Sequence, residues 1–176
     1  MGVDRQGEAP ILKRMDQPVW FVAHTRPRCE KKLVEYCQRE EISTTLPTYR
    51  RAHKYRGKTA VFHKPLFPGY VFLQMAPIRR QKIYQSKYVA NLLDVADQAT
   101  FLQQLGDILR ALDTELEIVL AAEIGEGKQV RIKSGPLRGM DAWVEARYGM
   151  STVLLRLDFI GQAAAVKVEA TDLELI

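Results

Sequence analysis

Beyond residue 127 the chain carries four short β-prone runs, Gln129 to Lys133, Ala142 to Arg147, Thr152 to Leu157 and Ala164 to Val168. Gly135-Pro136, Gly139, Gly149 and Gly161 punctuate them. Four or five short strands with tight turns in roughly fifty residues are too few for a large sandwich, and predict a small closed barrel with little room for a pocket. Upstream the period changes. Val19 to His24 is an apolar run that reads as a buried strand ended by Thr25-Arg26-Pro27. Cys29, Leu33 and Cys37 then recur every four residues and predict an amphipathic helix over 28–40. Thr44 to Tyr49, interrupted by Pro47, reads as a strand near an edge. Arg50 to Lys64 is centred on Gly57 and predicts a hairpin with a basic tip. The turn signal Pro68-Gly69 precedes an alternating strand, Val89 to Val95 is another strand, and Thr100 to Leu112 is a second amphipathic helix. The fold class is therefore α+β. A four-stranded antiparallel α/β sandwich over 18–115 is expected, joined by a linker at 116–127 to a β-barrel over 128–176. Residues 1–17 hold Gly2, Gly7 and Pro10 without periodicity and read as a flexible extension.

Charge singles out one part of this plan. The 26 Lys and Arg residues exceed the 21 Asp and Glu by five, but the excess is local. Residues 18 to 75 hold 11 basic and 4 acidic groups, net +7, whereas 76 to 126 are net −3 and 127 to 176 net +1. From Ile42 to Leu93 there is no acidic residue and there are ten basic ones: Arg50, Arg51, Lys54, Arg56, Lys58, Lys64, Arg79, Arg80, Lys82 and Lys87. Such a window is either a solvated face or the contact of a polyanion or acidic partner. The stripe Arg28, Lys32, Tyr36 and Arg39 beside the apolar helix face has the same two readings: a wet face with i,i+4 pairs, or cations and a ring laid along a phosphate backbone.

WFVAHTRPRCEKK, the later FPGYVF after a basic hairpin, and VRIKSGPLRGMDAWVE together resemble the NusG/RfaH family of transcription elongation factors, over about residues 18 to 176. The resemblance implies an N-terminal NGN domain that binds RNA polymerase at the clamp coiled coil of its largest subunit, and a C-terminal SH3-like KOW domain that recruits other factors. It assigns polymerase binding to His24, Phe67, Pro68, Tyr70 and Phe72, although His24 and Phe72 read equally well as structural residues. It implies contact with non-template or upstream DNA at Arg26, Lys32, Tyr36 and Arg39. Arg28 is an addition of this sequence, and Arg50, Arg51, Lys54 and Arg56 of the hairpin are expected to face upstream DNA or polymerase. Phe159 and Ile160 align with a loop that docks a small-subunit ribosomal protein or the termination factor Rho; Ile160 stands where housekeeping members tend to have Phe. The KPLFPGYVF stretch and the helix QATFLQQLGDILRAL lean toward an operon-specialised antitermination factor. The alternative is a housekeeping member that modulates pausing and Rho-dependent termination, and a ribosome-associated KOW protein is the more distant rival. Five glycines from Gly127 to Gly161 penalise helix, so the C-terminal domain is expected to rest as a barrel.

Other function classes lack their residues. Two-metal chemistry needs clustered carboxylates, which the basic segment does not supply. His24, His53 and His63 have no ligand spacing, and Cys29 and Cys37 sit eight apart without a CxxC pair. No catalytic residue, metal or cofactor is expected. No run approaches the ~18 apolar residues of a membrane span. A cytoplasmic monomer without membrane contact is the expectation.

Overall fold

The structure is a computed structural model, and it describes residues 15–121, 127–145 and 152–176. The sequence expectations for the extension up to residue 14, for 122–126 of the linker, and for Arg147 and Gly149 lie outside the described residues. The chain divides into two compact units. One runs up to Leu46 and resumes over Pro68–Gln98; the other comprises Pro47–Phe67 and Ala99–Ile176.

The first unit is built on a four-stranded antiparallel sheet. Its strands are β1 (Val19–Thr25), β2 (Ser43–Thr45), β5 (Tyr70–Met75) and β6 (Val89–Asp94), in the order β2-β5-β1-β6. β2 lies at an edge and ends at Thr45, so the strand expected over Thr44 to Tyr49 divides around Pro47, with Thr48 and Tyr49 opening the next strand. Successive residues of β1 point to opposite faces. Phe21 and Ala23 pack with Val71, Leu73 and Met75 of β5 and with Leu33 and Cys37 of the first helix, α1 (Glu30–Arg39). On the other face Val22 is registered against Phe72, and both are fully buried. Burial of both faces explains why β1 reads as a continuous apolar run rather than an alternation.

Helix α1 begins two residues later than its pattern predicts, because Arg28 adopts a left-handed conformation at φ 60°. Its acidic first turn and basic last turn, Glu30 and Arg39, suit the helix dipole. It ends in a Schellman turn: the Ile42 N–H donates to Cys37 O at 2.8 Å and the Glu41 N–H to Gln38 O at 3.2 Å, with Glu41 left-handed at φ 55°. Ile42 is buried against the same core as Cys37. A short helix, α2 (Arg80–Gln85), follows a 3-10 turn at Pro77–Arg79 and buries Ile83.

The second unit contains the predicted hairpin, β3 (Thr48–Tyr55) and β4 (Lys58–Pro65), closed by Arg56-Gly57. Arg56 at φ 48° and Gly57 at φ 78° make the doubly left-handed turn that suits the twist of a two-residue hairpin. The unit also holds α3 (Gln98–Leu112) from Ala99 onward and a six-stranded antiparallel sheet. Its strands are β7 (Ile118–Leu120), β8 (Lys128–Ile132), β9 (Asp141–Val144), β10 (Thr152–Leu157), β11 (Gln162–Lys167) and β12 (Leu173–Leu175). The order is β12-β8-β9-β10-β11-β7. Among the described residues no pairing joins β12 to β7, so the expected closed barrel is, in hydrogen-bonding terms, a line of six strands. The expected linker also shortens: Ile118–Leu120 pairs with Ala164–Val166 of β11, because Ile118 is apolar enough to be buried there.

Candidate functional site

Three groups of expected site residues can be built up from the elements that carry them. The first lies where β1 ends and β5 begins. His24 and Tyr70 are register partners on adjacent strands, and their rings stack at 5.3 Å between centroids with an interplanar angle of 25°. His24 is exposed and Tyr70 half-buried. Three constraints fix the turn beneath them. Gly69 O accepts from the Thr25 N–H at 2.8 Å, the Gly69 N–H donates to Glu30 Oε1 at 2.8 Å, and Gly69 itself sits at φ 87°. The anionic acceptor makes the second bond stronger than a neutral one. Pro68 is exposed beside them. His24, Pro68 and Tyr70 thus form an accessible, rigid surface. Phe67 and Phe72, expected to share it, are 1% and 0% exposed. They offer no area to a partner as the structure stands, for the plain reason that a large ring next to a turn is an efficient core filler.

The second group is cationic. Arg26, Arg28, Lys32 and Arg39 are exposed, and among the described residues none forms an ion pair. Tyr36, placed with them on sequence grounds, is engaged structurally: its hydroxyl donates to Lys82 O at 2.7 Å, tying α1 to α2. Burial foremost, with Glu40 adding to it, raises its ionisation above the ordinary phenol value. Within the acid-free window the structure separates tethered cations from free ones. Arg79 caps α1 by donating to the carbonyl oxygens of Glu40 and Glu41, at a helix end where carbonyls lack partners. Arg80 pairs with Asp94 and Lys82 with Glu40. Arg50, Arg51, Lys54, Arg56, Lys58 and Lys64 of the hairpin are all exposed and, among the described residues, without an acidic partner.

The third group is the turn between β10 and β11. Phe159 is part-exposed and Ile160 half-buried. The Phe159 ring meets Phe101 of α3 edge-on at 6.1 Å, and Gln104 of α3 both donates to Asp158 Oδ2 at 2.6 Å and accepts from the Asp158 N–H at 3.0 Å. This docking of α3 on the turn had no signal in the sequence beyond the apolar helix face itself. Among the described residues no three His, Cys, Asp or Glu side chains gather as a metal would need, and no helix is long and apolar enough to cross a membrane.

The chain has a central sheet with α1 on one face, a pinned Pro68-Gly69 turn and a basic hairpin, and its residues 18–107 match the family NusG, described as transcription termination factor nusG. That match spans just over half of the chain. The chain belongs to the NusG family. Comparison with curated proteins gives no significant match. NusG proteins are transcription elongation and termination factors rather than enzymes, and they bind RNA polymerase. The matched stretch contains the His24–Tyr70 surface, the exposed cations of α1 and the whole β3–β4 hairpin.

Proposed function

We propose that this chain is an elongation factor that docks on RNA polymerase, at the clamp coiled coil of the largest subunit, through His24, Pro68 and Tyr70. Bound there it suppresses pausing and termination. Arg26, Arg28, Lys32 and Arg39 then hold non-template or upstream DNA, and the C-terminal domain recruits a ribosomal small-subunit protein or Rho through Phe159 and Ile160. A partner taking that turn shares it with α3 or displaces the helix. The domain limits proposed are 18–115 for the NGN domain and 128–176 for a KOW barrel, and the role proposed is specialised to a few long operons.

The observation that carries this reading is the stacked His24–Tyr70 pair over a turn held from both sides. Rigid aromatic anchors with little entropy left to lose are the usual centres of protein interfaces. Catalysis has no part in the mechanism. A ligand that prefers the elongating polymerase over the paused one shifts that equilibrium by its differential affinity, tenfold for each ~1.4 kcal/mol. Single-round transcription on a template with strong pause and termination sites tests it. The intact chain shortens pauses and raises read-through, and Tyr70→Ala abolishes both effects. Unchanged pausing in the presence of the intact chain refutes it.

A further inference from the structure

The β3–β4 ribbon has two unlike faces. Its register pairs Tyr49 with Lys64, Arg51 with Phe62, His53 with Ala60 and Tyr55 with Lys58 on one face. On the other it pairs Thr48 with Pro65, Arg50 with His63, Ala52 with Val61 and Lys54 with Thr59. Every ring of a Tyr or Phe in the ribbon falls on the first face, and each stands opposite a Lys or Arg; the second face has no such pair. Tyr55 is 69% and Phe62 49% exposed, a costly display of aromatic surface unless something covers it. His53 steadies Phe62 edge-on at 6.0 Å, and the Arg56 guanidinium lies 5.4 Å from the centre of the Tyr55 ring. From Tyr49 to Tyr55 the strand covers about 20 Å at ~3.4 Å per residue, room for several nucleotides.

We propose that this face binds a single strand of nucleic acid, with unpaired bases stacked on Tyr49, Tyr55 and Phe62 and phosphates held by Arg51, Lys58 and Lys64. Rings interleaved with cations, and no carboxylate from Ile42 to Leu93, are what a sequence-tolerant single-strand platform requires. A duplex keeps its bases stacked on one another and offers these rings nothing, so charge alone would not need them. The inference rests on the nucleic-acid contact of the function proposed above and extends it from the cations of Arg26 to Arg39 to one face of the β3–β4 hairpin and one ligand chemistry, and it does not need polymerase docking to hold.

Fluorescence anisotropy of the full chain with labelled 15-nucleotide DNA, RNA and duplex DNA tests it without polymerase. Three variants are compared: Tyr55→Ala with Phe62→Ala, Arg51→Ala with Lys58→Ala, and Arg50→Ala with Lys54→Ala on the opposite face. All six positions are exposed, so the fold is spared, which circular dichroism checks. The single strands bind at least tenfold tighter than the duplex. The ring variant, which removes no charge, weakens single-strand binding tenfold or more, and the Arg50/Lys54 variant changes it less than the Arg51/Lys58 variant does. The ratio between DNA and RNA tells which strand is preferred. Equal loss from the two charge variants with none from the ring variant overturns the proposal in favour of simple charge. No binding of any oligonucleotide overturns it too, and leaves an acidic protein surface as the occupant. Polymerase binding by the ring variant is measured separately; its retention shows that the docking reading stands or falls on its own.

Discussion

Two glycines in this chain call for the same substitution with opposite results. Gly69 sits at φ 87° in the turn under His24 and Tyr70, where an added Cβ would lie 3.7 Å from His24 Cδ2. That is ordinary contact, so space does not decide the outcome. A left-handed L-residue costs about 1–2 kcal/mol, and the restricted unfolded chain returns ~0.4–1 kcal/mol, so Gly69→Ala should destabilise by about 1 kcal/mol. Gly69→Asn should cost less than half of that, because Asn tolerates the conformation. Gly106 lies inside α3, with helical backbone and nothing within 4 Å of its Cβ position. There Gly106→Ala should stabilise by ~0.8–1 kcal/mol, the difference in helix propensity. The chain has two tryptophans, Trp20 in the first unit and Trp143 in the second. Urea unfolding of Gly69→Ala is read from Trp20 in a Trp143→Phe background, and that of Gly106→Ala from Trp143 in a Trp20→Phe background. The same sign for both, a neutral Gly69→Ala, or a loss beyond ~3 kcal/mol there would show that backbone conformation is not what governs the turn.

Other positions make sharp statements too. Glu41 occupies the left-handed position of the Schellman turn that glycine normally takes, so Glu41→Gly should raise stability by up to ~1 kcal/mol in the same urea titration. The Gln98 side chain mimics a strand: its Oε1 accepts from the Trp20 N–H at 2.7 Å while Nε2 donates to Trp20 O and Val95 O at 2.9 Å. Gln98→Ala should cost about 1–3 kcal/mol and speed hydrogen exchange at the Trp20 amide, and unchanged exchange would contradict that role. Burial pushes the Cys37 thiol up to about 11, with Arg79 pulling it back and Glu40 adding to the rise. An unfolded thiol ionises near ~8.5, so the folded state keeps a proton that the unfolded state releases. This contribution is complete below about 8.5 and is lost as pH climbs toward 11. Stability measured across that window should fall more steeply for the intact chain than for Cys37→Ala.

The sequence carries the elements better than it carries their surfaces. Val19 to His24, the Gly57 hairpin and the 100–112 helix each declare themselves through a period or a turn residue, and each is present within two residues of its expected limits. The β7 strand at Ile118–Leu120 is three residues long, too short to show a period, and exists through its pairing with β11. Helix α2 has one buried residue, Ile83, and no amphipathic pattern to find. Among the site residues, Phe67 reads from sequence as an interface ring yet is core, and Tyr36 reads as a stacking ring yet ties two helices. Neither the burial of Phe67 nor the tether of Tyr36 has a local signal, because the surroundings of an aromatic residue are a tertiary property. The ring-bearing face of the hairpin, by contrast, was legible in principle. Once Arg56-Gly57 fixes the turn, period-two alternation puts Tyr49, Tyr55 and Phe62 on one side.

Direct binding to core RNA polymerase tests whether the His24–Tyr70 surface docks on the enzyme. With the chain immobilised and polymerase titrated, the intact protein should bind, and Tyr70→Ala should bind at least tenfold more weakly while keeping its circular dichroism and its affinity for single-stranded nucleic acid. An intact chain that does not bind polymerase, or a Tyr70→Ala variant that binds as well as the parent, would contradict it.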